Sequence, residues 1–232
     1  MLKRSIVTVT ALCLMVPMVG VTGCGPTQKV KRTLALNELS REARTAAENG
    51  DDEQSLELWR EYVDRRPHSH FAQYNLGMTE ARLGLYTQAI GHLNTAHDLR
   101  PGEIKYIEGL ADTYIQAGRA QDMIDLMNET AGEGGRVAGQ LRLAKYAQQA
   151  GMLDEAKQAI RMAMSFGGTE TVEPYLAMAD LARQAGDEQL EERALRQALW
   201  FDPASDELDQ RFLALGITPG PSLAIVPGTA MD

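Results

Sequence analysis

The stretch 75–101, NLGMTEARLGLYTQAIGHLNTAHDLRP, holds two helical signals separated by a glycine. An apolar face at helical period runs up to Gly84, a residue type that accepts the left-handed backbone on which helices end. A second amphipathic segment follows, carrying Ala89, Leu93 and Ala96, and Pro101 stops it. Small residues at Gly77 and Ala89 let two helix backbones approach closely. The stretch therefore reads as a helical hairpin. Alone, a hairpin of this size cannot bury its own apolar face, so it needs neighbours.

The same marks recur along the chain. Gly50, Gly84, Gly118, Gly151 and Gly186 stand 34, 34, 33 and 35 residues apart. Seven residues before each glycine sits a small residue: Ala43, Gly77, Ala111, Ala144 and Ala179. One place earlier stand Glu42, Leu76, Leu110, Leu143 and Met178, four of the five apolar. Nine residues after each glycine comes a large apolar side chain: Trp59, Leu93, Met127, Ile160 and Leu195. Seventeen after comes a helix breaker: Pro67, Pro101, Gly135, Gly168 and Pro203. Self-similarity at this period is the signature of stacked repeats.

Period and pattern together resemble the tetratricopeptide repeat, over residues 36–205. The resemblance implies an all-α, right-handed superhelical solenoid of five hairpins (36–69, 70–103, 104–136, 137–171 and 172–205). Three positions depart from the family pattern. Glu42 replaces a leucine, and Met123 and Glu191 replace the packing alanine found at Ala89 and Ala156, which predicts looser packing in those copies. Residues 206–216 read as a capping helix with Leu208, Phe212 and Leu215 inward, because the last repeat needs a lid that is polar outside. The segment 217–232, ITPGPSLAIVPGTAMD, is rich in proline and reads as a disordered tail.

Bulk composition agrees with a helical, soluble body. Hydrophobic residues make up 44% of the chain and charged ones 24%, whereas aromatics, which favour strands, make up only 6%. The formal net charge of −9 argues against nucleic acid as a ligand, which needs a basic face. It also argues against the related pentatricopeptide family, which reads RNA at a similar period.

The N-terminus carries an address. Behind Lys3 and Arg4 runs the apolar stretch SIVTVTALCLMVPMVG, shorter than the roughly 20 apolar residues that a spanning helix needs, and it reads as a secretory signal. Its end, Val21-Thr22-Gly23-Cys24, resembles the bacterial lipobox. That resemblance implies removal of residues 1–23 as a lipoprotein signal peptide and acylation of Cys24, with chains such as palmitate, on its sulfur and new amino group. Two or more buried acyl chains make a lasting membrane anchor. Residues 24–35 then form the lipidated cysteine and a solvated tether. Gly25, in place of the Asp that resembles an inner-membrane retention pattern, directs the expectation to the periplasmic face of the outer membrane. Of the two cysteines, Cys13 leaves with the signal, so no internal disulfide is expected.

No catalytic or metal-binding constellation emerges, and neither an enzyme activity, a cofactor nor a small-molecule substrate is expected. His68 and His70 fall in a turn between repeats, and His92 and His97 lie five apart on different faces of one helix. AGEGGR (131–136) is not a phosphate loop: it follows a helix and lacks the terminal Lys-Ser/Thr. It reads as a loosened repeat boundary.

The remaining functional surface is the inner wall, which in this family is lined by the first helix of each hairpin. The family's groove positions fall two, three, six, nine, ten and thirteen residues before each repeat glycine. In the second repeat these are Arg82, Ala81, Met78, Asn75, Tyr74 and Phe71. The third offers Lys105, Glu108, Asp112 and Gln116, and the fourth Arg142, Lys145, Gln148 and Gln149. Rigid aromatic anchors beside hydrogen-bonding groups suit a polypeptide partner. The five-residue carboxylate clamp of chaperone-binding members is not reproduced. Asn75 and Lys105 match it, but Ser40, Arg44 and Gly109 do not. The expected function is a membrane-anchored scaffold that binds a protein or peptide in its groove. The alternative is a structural or pilot component of an envelope assembly, such as a pilus, secretin or outer-membrane machine.

Overall fold

The structure of the chain, a computed structural model, describes residues 28–227. The signal segment and Cys24 lie outside the described residues. Within them are eleven α-helices and no strand. They form five antiparallel pairs: α1 (Gln28–Glu48) with α2 (Asp52–Arg65), α3 (His70–Arg82) with α4 (Tyr86–Leu99), α5 (Ile104–Gln116) with α6 (Ala120–Glu129), α7 (Arg136–Gln149) with α8 (Leu153–Gly167), and α9 (Glu173–Ala185) with α10 (Glu188–Leu199). A last helix, α11 (Asp206–Ala214), follows, and then a short 3-10 turn, Pro221–Leu223.

Each pair is turned by the glycine that marks it in the sequence. Gly50, Gly84, Gly118, Gly151 and Gly186 take φ between +69° and +79°, the left-handed region. The residue after each glycine donates its backbone N–H to a carbonyl five residues back. The distance is 2.9 Å for Asp51 to Ala46, 2.8 Å for Leu85 to Glu80, for Arg119 to Tyr114 and for Met152 to Ala147, and 2.9 Å for Asp187 to Ala182. One helix cap has thus been used five times, and it satisfies carbonyls that the helix end would otherwise orphan.

The apolar register is spent in the core. Trp59, Leu93, Met127, Ile160 and Leu195, the large residues nine after each glycine, are all fully buried. So are the small residues seven before it, such as Ala43, Ala111 and Ala179. At Gly77 a methyl group would stand 2.7 Å from Leu93 Cγ, so the glycine is required by the α3–α4 approach. The departures are accommodated. Glu42 is exposed, on the outer side of α1. Met123 is fully buried, and buried Glu191 takes Arg211 of α11 at 3.0 Å. Looser packing is seen in one of the two copies: α5 and α6, the pair that carries Met123, are less closely packed than the other pairs, whereas the Glu191 pair packs as closely as the first. Methionine is flexible enough to fill the gap, and the carboxylate is neutralised by the lid.

Two segments differ from expectation. The tether expected over 24–35 is helical in backbone from Gln28, as the start of α1. No Gly or Pro interrupts residues 28–48, and extending a helix already nucleated by its packed end adds one hydrogen bond per residue. The tail expected to be disordered is ordered as far as Pro227. Ile217, Leu223 and Ala224 pack on the core, and Ile225 N–H donates to the Arg196 carbonyl at 2.9 Å. The reason lies in α11. It ends on Gly216 at φ +75°, and Ile217 N–H donates to Phe212 O at 2.9 Å, the same cap as in the five pairs. It is placed like the first helix of a sixth hairpin; among the described residues no second α-helix follows it, and the tail lies along α10.

Candidate functional site

Curvature brings the first helices together. Helix α3 touches α5, α5 touches α7 and α7 touches α9, while each second helix packs on the first helices to either side of it. The first-helix faces therefore make the inner wall, and most of the predicted groove residues sit on it.

The wall is richest between α3 and α5. Phe71, half-buried, meets Trp59 edge-on at 5.5 Å, and the Arg44 guanidinium lies 5.8 Å from its ring centre. Tyr74 packs on Tyr106 at 5.0 Å, and the Lys105 ammonium stands 5.9 Å from one ring and 5.2 Å from the other. The Tyr106 hydroxyl and His70 Nδ1 are 2.5 Å apart. Tyr74 and Met78 lean over Gly109, where an added methyl would touch both at 3.0 Å. The half-buried floor is therefore Phe71, Tyr74 and Met78, with fully buried Tyr106 behind Tyr74 and the exposed Lys105 along its rim.

Next to it lies a charged step. Asp112 is half-buried on α5, and burial raises its carboxyl pKa; the Lys145 ammonium opposes that shift and Glu108 adds to it. Lys145 lies 5.0 Å from the ring centre of Tyr146, itself almost fully buried. Burial and the two carboxylates push the Tyr146 and Tyr74 hydroxyls upward, so both stay protonated donors throughout the physiological range. Gln116 and Gln149 are exposed, and Gln148 is half-buried.

Three predicted residues are already committed elsewhere. Arg142 is buried, not groove-lining. It donates to the Thr130 and Glu133 carbonyls, both at 3.1 Å, and pins the turn that precedes α7. A long arginine on a face crowded by α6 finds its polar partners in the loop behind it. Asn75 donates to the Phe71 carbonyl at 2.6 Å, a bond within its own helix. Arg82 reaches Asp52 at 2.8 Å and so ties α3 to the start of α2.

The same geometry corrects the reading of AGEGGR as loosened. Glu133 accepts the Gly102 N–H at 2.8 Å and lies 3.7 Å from His97, so the turn is fastened to the hairpin before it. At Gly139 a methyl would overlap the Ala131 carbonyl oxygen, and only glycine fits. Sequence reading missed Tyr106 and Tyr146, the buried rings that back the wall. Tyr106 lies twelve residues before its glycine and Tyr146 five, so neither occupies a groove position of the repeat. Among the described residues, no group of three or more His, Cys, Asp or Glu is placed to hold a metal, and no helix is long and apolar enough to cross a membrane.

No protein-family profile matches the sequence, and no curated protein does. Solved structures do match. A tetratricopeptide repeat protein from Parabacteroides merdae aligns over 78% of this chain and 72% of its own, at 18% identity and a TM-score of 0.53. The fold is a tetratricopeptide solenoid. PilW, described as a widely conserved type IV pilus biogenesis factor, aligns over 79% of this chain and 86% of its own, at 16% identity and a TM-score of 0.52. MamA aligns over 77% and 94%, at 15% identity and the same TM-score of 0.52.

Proposed function

We propose that this chain is a protein-binding scaffold, tethered to a bacterial envelope membrane through acylated Cys24, that holds an extended segment of a partner along its inner wall. The observation that carries this reading is the half-buried floor of Phe71, Tyr74 and Met78, backed by the buried Tyr106. It places large, rigid rings, Phe71 and Tyr74 partly exposed, beside the Lys105 ammonium on a surface that the fold itself leaves uncovered. Aromatic anchors of this kind carry most of the energy in protein interfaces because they bury much area with few rotamers to freeze. Lys105, Asp112 and Lys145 add charges of both signs along the wall, which suits a polypeptide better than a simple anion.

The test is capture from envelope extracts by the acylated protein. Tyr74→Ala is expected to lose the partner and to leave the fold intact, because that ring is only partly buried. Retention of the partner by the variant would contradict the reading. For the anchor, Cys24→Ser is expected to leave an uncleaved or mislocalised precursor, and membrane fractionation of the variant at mature size would contradict it.

A second reading makes the chain a structural part of an envelope assembly. It is favoured by the exposed Trp200 and Leu213 near the C-terminal end, and PilW, a pilus biogenesis factor, shares the fold. In that case substitution at these two residues, not at Tyr74, would release the protein from its complex.

A further inference from the structure

Glu80 is an unusual residue for a buried position. It lies on α3 at 1% exposure, and its Oε2 has no hydrogen-bond partner. Two groups face it. Arg60 of α2 brings a guanidinium nitrogen to 3.6 Å from Oε1, and His92 of α4 brings Nε2 to 3.7 Å from Oε2. Among the described residues, α1 and α5, the other neighbours of these three helices, supply no ion pair to it.

The protonation of His92 is fixed from its other side. Gln73 donates its amide Nε2 to the Pro67 carbonyl at 2.7 Å, which turns its Oε1 toward His92. That oxygen lies 2.7 Å from His92 Nδ1 and can only accept, so Nδ1 carries the hydrogen. A neutral ring then presents the bare lone pair of Nε2 to a carboxylate oxygen. Glu80 Oε2 is shut off from solvent while the His92 side chain is 34% exposed; two acceptors facing each other there repel, and one proton between them removes the conflict.

We propose that Glu80 and His92 share that proton near neutral pH, making the junction of the first two hairpins a proton-held clamp that loosens as the medium becomes alkaline. With the proton on Glu80, its hydroxyl donates to Nε2; with the proton on His92, the imidazolium donates to the carboxylate. Burial raises the Glu80 carboxyl, consistent with the first form, while Arg60 opposes that rise; burial lowers His92, and Arg60 adds to that shift. In the unfolded chain the pair gives up this proton near the ordinary histidine pKa of about 6.5. The folded state then binds one proton more above that pH, and its stability falls as pH rises until the folded pair also lets go.

Trp59, buried beside Leu76 of α3 in the seam between α1, α2 and α3, reports on this junction. The experiment is urea unfolding of the full chain, followed by Trp59 fluorescence in a Trp200→Phe background, from pH 6 to 8.5. Above about pH 6.5, the folded-to-unfolded ratio of the parent relative to Glu80→Gln should fall about tenfold per pH unit, one proton's worth. The amide introduced by that substitution would donate to Nε2 without titrating. His92→Gln should flatten the dependence in the same way and serves if Glu80→Gln does not fold. A ratio that stays constant or rises with pH would overturn the proposal. Nitrogen-15 NMR of the parent reads the ring directly. The Nδ1–H tautomer or the imidazolium is expected at His92, and an Nε2–H tautomer would overturn the clamp.

Discussion

Two inter-hairpin joints lie side by side and are built differently. Between α4 and α5 the chain turns through Arg100, Pro101, Gly102 and Glu103, and the break comes from proline's missing N–H and a left-handed glycine at φ +81°. Between α6 and α7 the proline is absent, and Thr130 to Gly135 make a longer turn with glycines at φ +78° and +103°. Backbone chemistry makes the first turn, with one outside tie at Gly102. The second is fixed from outside, by Arg142 reaching in and by Glu133 reaching back to Gly102. A repeat can lose its punctuation and keep its geometry if buried polar ties replace it, but the joint then depends on a few side chains.

That contrast predicts an order of damage. Gly139→Ala should be the most harmful, because its methyl would overlap the Ala131 carbonyl, and backbone cannot rotate aside as a side chain can. A loss of about 3 kcal/mol or more is expected in urea unfolding. Arg142→Ala should follow, at about 2–3 kcal/mol, since it strips two carbonyls of a charged donor. Hydrogen exchange in 130–136 should speed up with it, while the Arg100 amide, bonded to the Ala96 carbonyl, stays protected. Gly118→Ala meets no atom but must hold a left-handed φ of +69°, so about 1–2 kcal/mol is expected and the two joints should suffer alike. Glu133→Ala should be mildest, below about 1 kcal/mol, because its ties are partly exposed. If Arg142→Ala were as mild as Glu133→Ala, the turn would hold itself and the contrast would collapse.

Most of the solenoid was legible because its period is written in backbone chemistry. A glycine that must turn left, a small residue where helices cross and a large one where they bury each leave a fixed mark. Glu191 and Met123 broke the pattern: Arg211, far along the chain, absorbed the first, while the second left a less closely packed α5–α6 pair with the methionine buried in it. Gly216 escaped notice because it stands 30 residues after Gly186, outside the period, so the helix placed like the start of a sixth hairpin and the ordered tail lying along α10 were hidden. At the wall, Tyr74 and Lys105 were legible from their positions in the repeat. Arg142 was not, since the same position faces a long turn rather than open space. Tyr106 backs the floor from the core, outside the groove set, through its contact with Tyr74.

The inner wall is the claim on which the functional reading stands, and site-specific photo-crosslinking in intact cells tests it most directly. A photoreactive residue replacing Met78, on the floor, should yield a discrete adduct with one envelope protein, and the same residue replacing exposed Gln121 at the start of α6 should yield none. An adduct from position 121 with nothing from position 78 would contradict the account and move the binding surface to the outside of the arc.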